Sequence, residues 1–139
     1  MNNLPDPIET IQSESLAIHH FPFCIISTLS KNCAEIVFKD GTEVTKEMLL
    51  EIHQWLSSNI DSPMYIIINK IFPHSYTFNA QMELSTLSNI KAMAMVCYSN
   101  VSQATTMIMQ TATNQTLWNM KIFYDRADAL DWIEEQQNT

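Results

Sequence analysis

The chain has 139 residues, 46% of them hydrophobic and 16% charged, which is the size of one folded domain and too apolar a composition for a disordered one. Seven basic against fifteen acidic side chains leave a formal net charge of -8, which repels phosphate backbones, so no nucleic acid is expected as a partner. The single glycine excludes the glycine-rich loops that bring backbone N–H groups up to nucleotide phosphates, and no cofactor is implied.

At the N-terminus, Met1 to Gln12 carries Pro5, Asp6, Pro7 and Glu9 with little periodicity and reads as a tail or short extended lead-in, so that residues 1–14 precede a domain over 15–139. Ser15 to Ser30 is rich in β-branched and aromatic residues and is broken at Pro22, which predicts one or two strands. Cys33 to Lys39 predicts a further strand, followed by a turn at Asp40-Gly41, with antiparallel pairing among these opening strands. Thr45 offers an N-cap, and Met48, Leu49, Ile52, Trp55 and Leu56 recur at helical spacing until Ser57, Ser58 and Asn59 end the pattern. Met64 to Asn69 is a short unbroken apolar run after Pro63, as found in a parallel strand covered on both faces.

Beyond this central strand, Ile71 to Thr77 reads as a turn region and Phe78 to Leu87 as a weaker helix. Lys91 to Tyr98 is a second buried strand, Val101 to Thr113 a third helix with Val101, Ala104, Ile108 and Ala112 on one face, and Met120 to Tyr124 the last strand. Asp125 caps a final helix that turns Ala129, Leu130 and Ile133 inward and Asp131, Glu134 and Glu135 to water. Opening strands followed by alternating helix and strand predict an α/β domain built on a mixed sheet flanked by helices.

The three cysteines, Cys24, Cys33 and Cys97, contain no C-x-x-C pair, so neither a disulfide scaffold nor a zinc ribbon is signalled. Adjacent strand residues point to opposite faces, so His19 and His20 cannot jointly hold an ion, and no metal site is expected. His53 falls at the edge of the apolar face of the first long helix. His74 is the best placed of the histidines, because ligand sites in open sheets gather at strand carboxyl ends. Phe72, Tyr76 and Phe78 surround it in sequence, and the four together are a candidate surface for a ligand or partner. Nothing nearby supplies a nucleophile with a base and an orienting carboxylate, which argues against an enzyme.

Between Lys91 and Lys121 there is no charged residue, although the interval includes a whole helix whose outward face is Ser102, Gln103, Thr106, Gln110, Thr113 and Asn114. Charge depletion with methionine enrichment is typical of the middle of protein interfaces. Met107, Met109, Gln103 and Gln110 therefore join the candidate contact residues. Met1 to Pro7 has no basic segment leading into an apolar run, and no stretch reaches the roughly 20 apolar residues of a membrane span, so a cytoplasmic location is expected.

The ending Phe123-Tyr124-Asp125-Arg126-Ala127-Asp128-Ala129-Leu130-Asp131-Trp132-Ile133, and the turn Lys39-Asp40-Gly41-Thr42 leading to Thr45, resemble small bacterial proteins of the STAS, anti-sigma-factor-antagonist-like (SpoIIAA-like) superfamily. The likeness covers roughly Cys24 to Glu135. It implies a STAS-like mixed sheet flanked by helices and a non-enzymatic role in protein or ligand binding. Some relatives are likened to lipid-transfer domains, which brings hydrophobic ligands and membrane surfaces within range. Antagonists of that superfamily carry an Asp-Ser-Ser/Thr-Gly loop whose serine is phosphorylated, whereas this chain reads Asn69-Lys70-Ile71-Phe72-Pro73-His74-Ser75-Tyr76-Thr77 there. Ser75 and Thr77, near a predicted helix start, are the remaining candidates for phosphorylation. The resulting expectation is a regulatory module that engages a partner protein or forms a homodimer. The alternative is a hydrophobic small-molecule carrier with transient membrane contact.

Overall fold

A computed structural model of the chain describes residues 7–100 and 119–139. The chain runs through α1 (Pro7–Ser13), β1 (Ala17–Phe21), β2 (Cys24–Ser30), β3 (Cys33–Phe38), β4 (Thr42–Val44) and α2 (Lys46–Asn59). It continues through β5 (Met64–Lys70), β6 (His74–Tyr76), α3 (Phe78–Leu84), β7 (Ile90–Cys97), β8 (Met120–Phe123) and α4 (Arg126–Gln137). Six strands form one sheet in the order β1-β2-β3-β5-β7-β8. The pairs β1/β2 and β2/β3 are antiparallel, and every pairing from β3 to β8 is parallel. This is the mixed α/β sheet that the element order predicts, and the opening strands pair antiparallel as expected.

Strand alternation divides the core. Ile36, Phe38, Ile66, Ile68, Met93 and Met95 face α2 and α3, where they meet Leu49, Ile52, Leu56 and Leu84. Cys33, Tyr65, Ile67, Ala94 and Val96 face the other way and pack with Ala129 and Ile133 of α4. Both faces being covered explains why β5 is buried from Met64 to Lys70 and reads as an apolar run from Met64 to Ile68. α2 starts where Thr45 places its hydroxyl 3.2 Å from the Met48 amide, and α4 starts where Asp125 accepts from the Asp128 amide at 2.9 Å.

Four elements differ from the sequence reading, among them β4, which stands where the sequence predicts only a turn leading to the Thr45 cap. The lead-in expected over Met1–Gln12 contains a helix, α1, with Pro7 in its opening position and Ile11 buried beneath it. The turn region Ile71–Thr77 contains β6, which pairs in parallel with β4 as a separate two-stranded ribbon. Gly41, at φ 77, donates its N–H to the Pro73 carbonyl at 2.8 Å and brings the two short strands into register. α3 stops at Leu84 and does not reach Leu87, because the Ser85 and Thr86 hydroxyls donate back to the Met82 and Glu83 carbonyls. The third helix expected over Val101–Thr113, with Gln103, Met107, Met109 and Gln110, lies outside the described residues. Among the described residues no helix is long and apolar enough to cross a membrane.

Candidate functional site

The carboxyl ends of β3, β5 and β7 converge at one end of the sheet, and each strand puts polar or aromatic side chains there. On the α2 and α3 face these are Phe38, Lys70 and Cys97, the last residues of their strands, with Lys70 and Cys97 directly opposite in the β5/β7 register. The β4/β6 ribbon brings His74 and Tyr76 to this group. The His74 ring lies 4.8 Å from the Phe38 ring, and its Nε2 is 2.9 Å from the Tyr76 hydroxyl. His74 is 8% exposed, and its Nδ1 is buried without a hydrogen-bond partner.

The electrostatics follow from burial. Desolvation, then the nearby Lys70 charge, push His74 down to about 3, with the Phe72 backbone opposing, so the ring is neutral. Burial also lowers Lys70 below the ordinary lysine range, and Cys97 acts in the opposite direction. Burial, then Cys97, raise Tyr76. Cys24 and Cys33 are pushed up to about 12, chiefly by burial, which keeps both as thiols.

On the opposite face, Glu35 is fully buried and its carboxylate accepts from Arg126 Nε at 3.0 Å to each oxygen and from Arg126 Nη2 at 2.8 Å. Asn69 Nδ2 donates to the same carboxylate at 2.9 Å, leaving Asn69 Oδ1 buried and unpartnered. Arg126 Nη1 reaches Glu14, just past α1, at 2.8 Å. Burial opposes the charge on Arg126, but hydrogen bonds and charge from Glu35 and then Glu14 raise its pKa. The network ties α1, α4 and the sheet together.

Of the residues singled out in the sequence, His74 and Tyr76 are brought together, and Phe72 stands half-buried in the loop before them. Phe78, the first residue of α3, is 71% exposed. Ser75 is exposed, whereas the Thr77 hydroxyl caps α3 by accepting from the Ala80 amide at 3.1 Å. His19 and His20 lie on opposite faces of β1. His19 stacks on Trp55 at 4.7 Å, and His53 Nε2 donates to the Ser88 carbonyl at 2.8 Å. Lys70, Glu35 and Arg126 were not singled out in the sequence. Their signal is a charged residue inside or ending an apolar run, as Glu35 stands in Cys33–Phe38 and Lys70 closes Met64–Lys70.

No protein-family model and no curated protein matches the chain. Among solved structures it is similar to an uncharacterized protein of the DUF3478 family, described as having a SpoIIAA-like fold, from Shewanella loihica PV-4. The TM-score is 0.50 at 21% identity, covering 86% of this chain and 94% of the other. Together with the strand order and the helices on both faces, this likeness shows that the chain has a SpoIIAA-like α/β fold.

Proposed function

We propose that this chain is a non-enzymatic, STAS-like binding module that engages a partner protein through the surface led by α3. The observation that carries this reading is the pair Phe78 and Met82, one helical turn apart and 71% and 44% exposed. Single exposed apolar residues are ordinary, but two large ones on the same helical face form a contiguous patch. Ala80 and Leu84 anchor the opposite side of α3 in the core, so the patch sits on a fixed support.

The alternative, a carrier of hydrophobic small molecules, needs an internal void of several hundred Å³. Among the described residues, the enclosed space beneath α2, lined by Ile52, Leu56, Ile66, Leu84 and Met93 among others, holds about 20 Å³, room for one water-sized sphere and too little for such a ligand at that place. Native mass spectrometry of protein purified from its own source, with deuterium exchange over α3, tests the module reading. A bound protein chain with protection of α3, lost in Phe78→Ser, is the expected result. A retained lipid without a bound chain would move the reading to the carrier.

A further inference from the structure

We propose that Trp55, Phe21 and Glu51 form a binding site for the trimethylammonium group of a small molecule. The three line a groove of about 350 Å³, open to solvent between α2 and the end of β1, together with Gln54, Ser58 and Asn59. No residue of α3 lines it, so the inference is independent of the surface led by Phe78. Glu51, Trp55 and Ser58 form one stripe of α2, and the groove sets this stripe against Phe21, the last residue of β1. Each ring is backed by a second one. His19 stacks on Trp55 at 4.7 Å and 21°, and Phe23 on Phe21 at 5.2 Å and 18°. The walls are thus held in place before a ligand arrives, which spares the cost of ordering them on binding.

Ring faces carry the negative part of the aromatic quadrupole and attract cations, tryptophan most strongly. Glu51 adds a full negative charge to the same groove. It is exposed, and none of the ion pairs among the described residues includes it. Its neighbours one turn away on α2 are Glu47, Met48, Gln54 and Trp55, none of them basic, so the helix supplies it no cation. Two aromatic walls and a carboxylate without a counter-charge match a group that is positive and apolar at once. A bare ammonium is strongly hydrated and gives up its water reluctantly, whereas three methyl groups spread the charge and remove the N–H donors. An anion would meet Glu51 and Glu47 in a chain of net charge -8. From Glu51 to Asn59 the groove follows about 12 Å of helix, the length of one small molecule and not of a bound peptide. The Ser58 hydroxyl lies on this path and suits a polar substituent such as the hydroxyl of choline.

The test titrates the full chain with choline chloride against sodium chloride at equal ionic strength and reads the indole N–H resonance of Trp55. Dimethylbutanol, which has carbon in place of the charged nitrogen, is the neutral control. The expected result is a saturable shift with choline, about tenfold weaker binding of the neutral alcohol, and about threefold weaker choline binding in Glu51→Gln. Because the Glu51 side chain is exposed, that variant keeps the fold. An unmoved Trp55 resonance in the unaltered chain overturns the proposal. Equal affinity for choline and dimethylbutanol, or unchanged affinity in Glu51→Gln, overturns it as well. So does tighter binding of a peptide carrying trimethyllysine, which would assign the groove to a protein side chain.

Discussion

The Arg126 guanidinium, at the first turn of α4, straddles the fully buried Glu35 carboxylate of β3 with contacts of 2.8 and 3.0 Å. A cation at a helix N-terminus opposes the helix dipole, so this arginine is held there by its partner and not by the helix. Removing one member of a buried pair strands the other without compensation. Arg126→Met is therefore expected to lower unfolding stability by about 3–5 kcal/mol, while Glu35→Leu combined with Arg126→Met costs much less than the two single changes added. Urea denaturation of the three variants measures the difference. Additive losses would show that the pair is not coupled.

The neutral state of His74 sets a pH dependence. Its pKa falls from the ordinary 6.5 to about 3 in the folded chain, so between those values the unfolded chain binds a proton that the folded chain refuses. Stability from this residue is fully present above pH 6.5 and is lost as pH falls toward 3. The slope approaches about 1.4 kcal/mol per pH unit. His74→Gln, which cannot titrate, should show a shallower decline between pH 6 and pH 4. Identical slopes for the two chains would mean that the ring is protonated in the fold.

The parallel centre of the fold was readable because burial on both faces leaves a nearly unbroken apolar record, as in Met64–Asn69 and Lys91–Tyr98. The caps Thr45 and Asp125 were equally visible, since a short polar acceptor before a periodic apolar stripe has few other uses. β6 was not, because three residues carry no period, and its pairing with β4 depends on a bond between Gly41 and Pro73 far apart in sequence. The same distance hid the candidate site. His74 stood out by residue type, but its contact with Phe38 and its neighbour Lys70 come from different strands. Arg126 to Glu35 spans 91 residues, which no local pattern reports.

Phe78 separates stability from binding. Because its ring is largely in solvent, Phe78→Ser should change unfolding stability by no more than about 0.5 kcal/mol, whereas Leu84→Ala, at the other end of α3 and buried, should cost about 2–5 kcal/mol. A large loss in Phe78→Ser, measured by chemical denaturation, would place the ring in the core and remove the docking patch.

Asp125 does two things at once at the start of α4. Its Oδ1 accepts from the Asp128 amide at 2.9 Å, and its charge is the leading cause that raises the exposed Asp128 carboxyl above its ordinary range. The two effects separate by substitution. Asp125→Ala loses the cap and should cost about 1 kcal/mol in chemical denaturation, while Asp125→Asn keeps an acceptor and should stay within about 0.5 kcal/mol of the original. In both variants the Asp128 carboxyl should return toward the usual carboxylate range, read by NMR titration of its side-chain carbon. If Asp128 titrates unchanged in Asp125→Asn, the shift does not come from this neighbour. Equal stability of the alanine and asparagine variants would show that the hydrogen bond contributes nothing and that only the charge at the helix start matters.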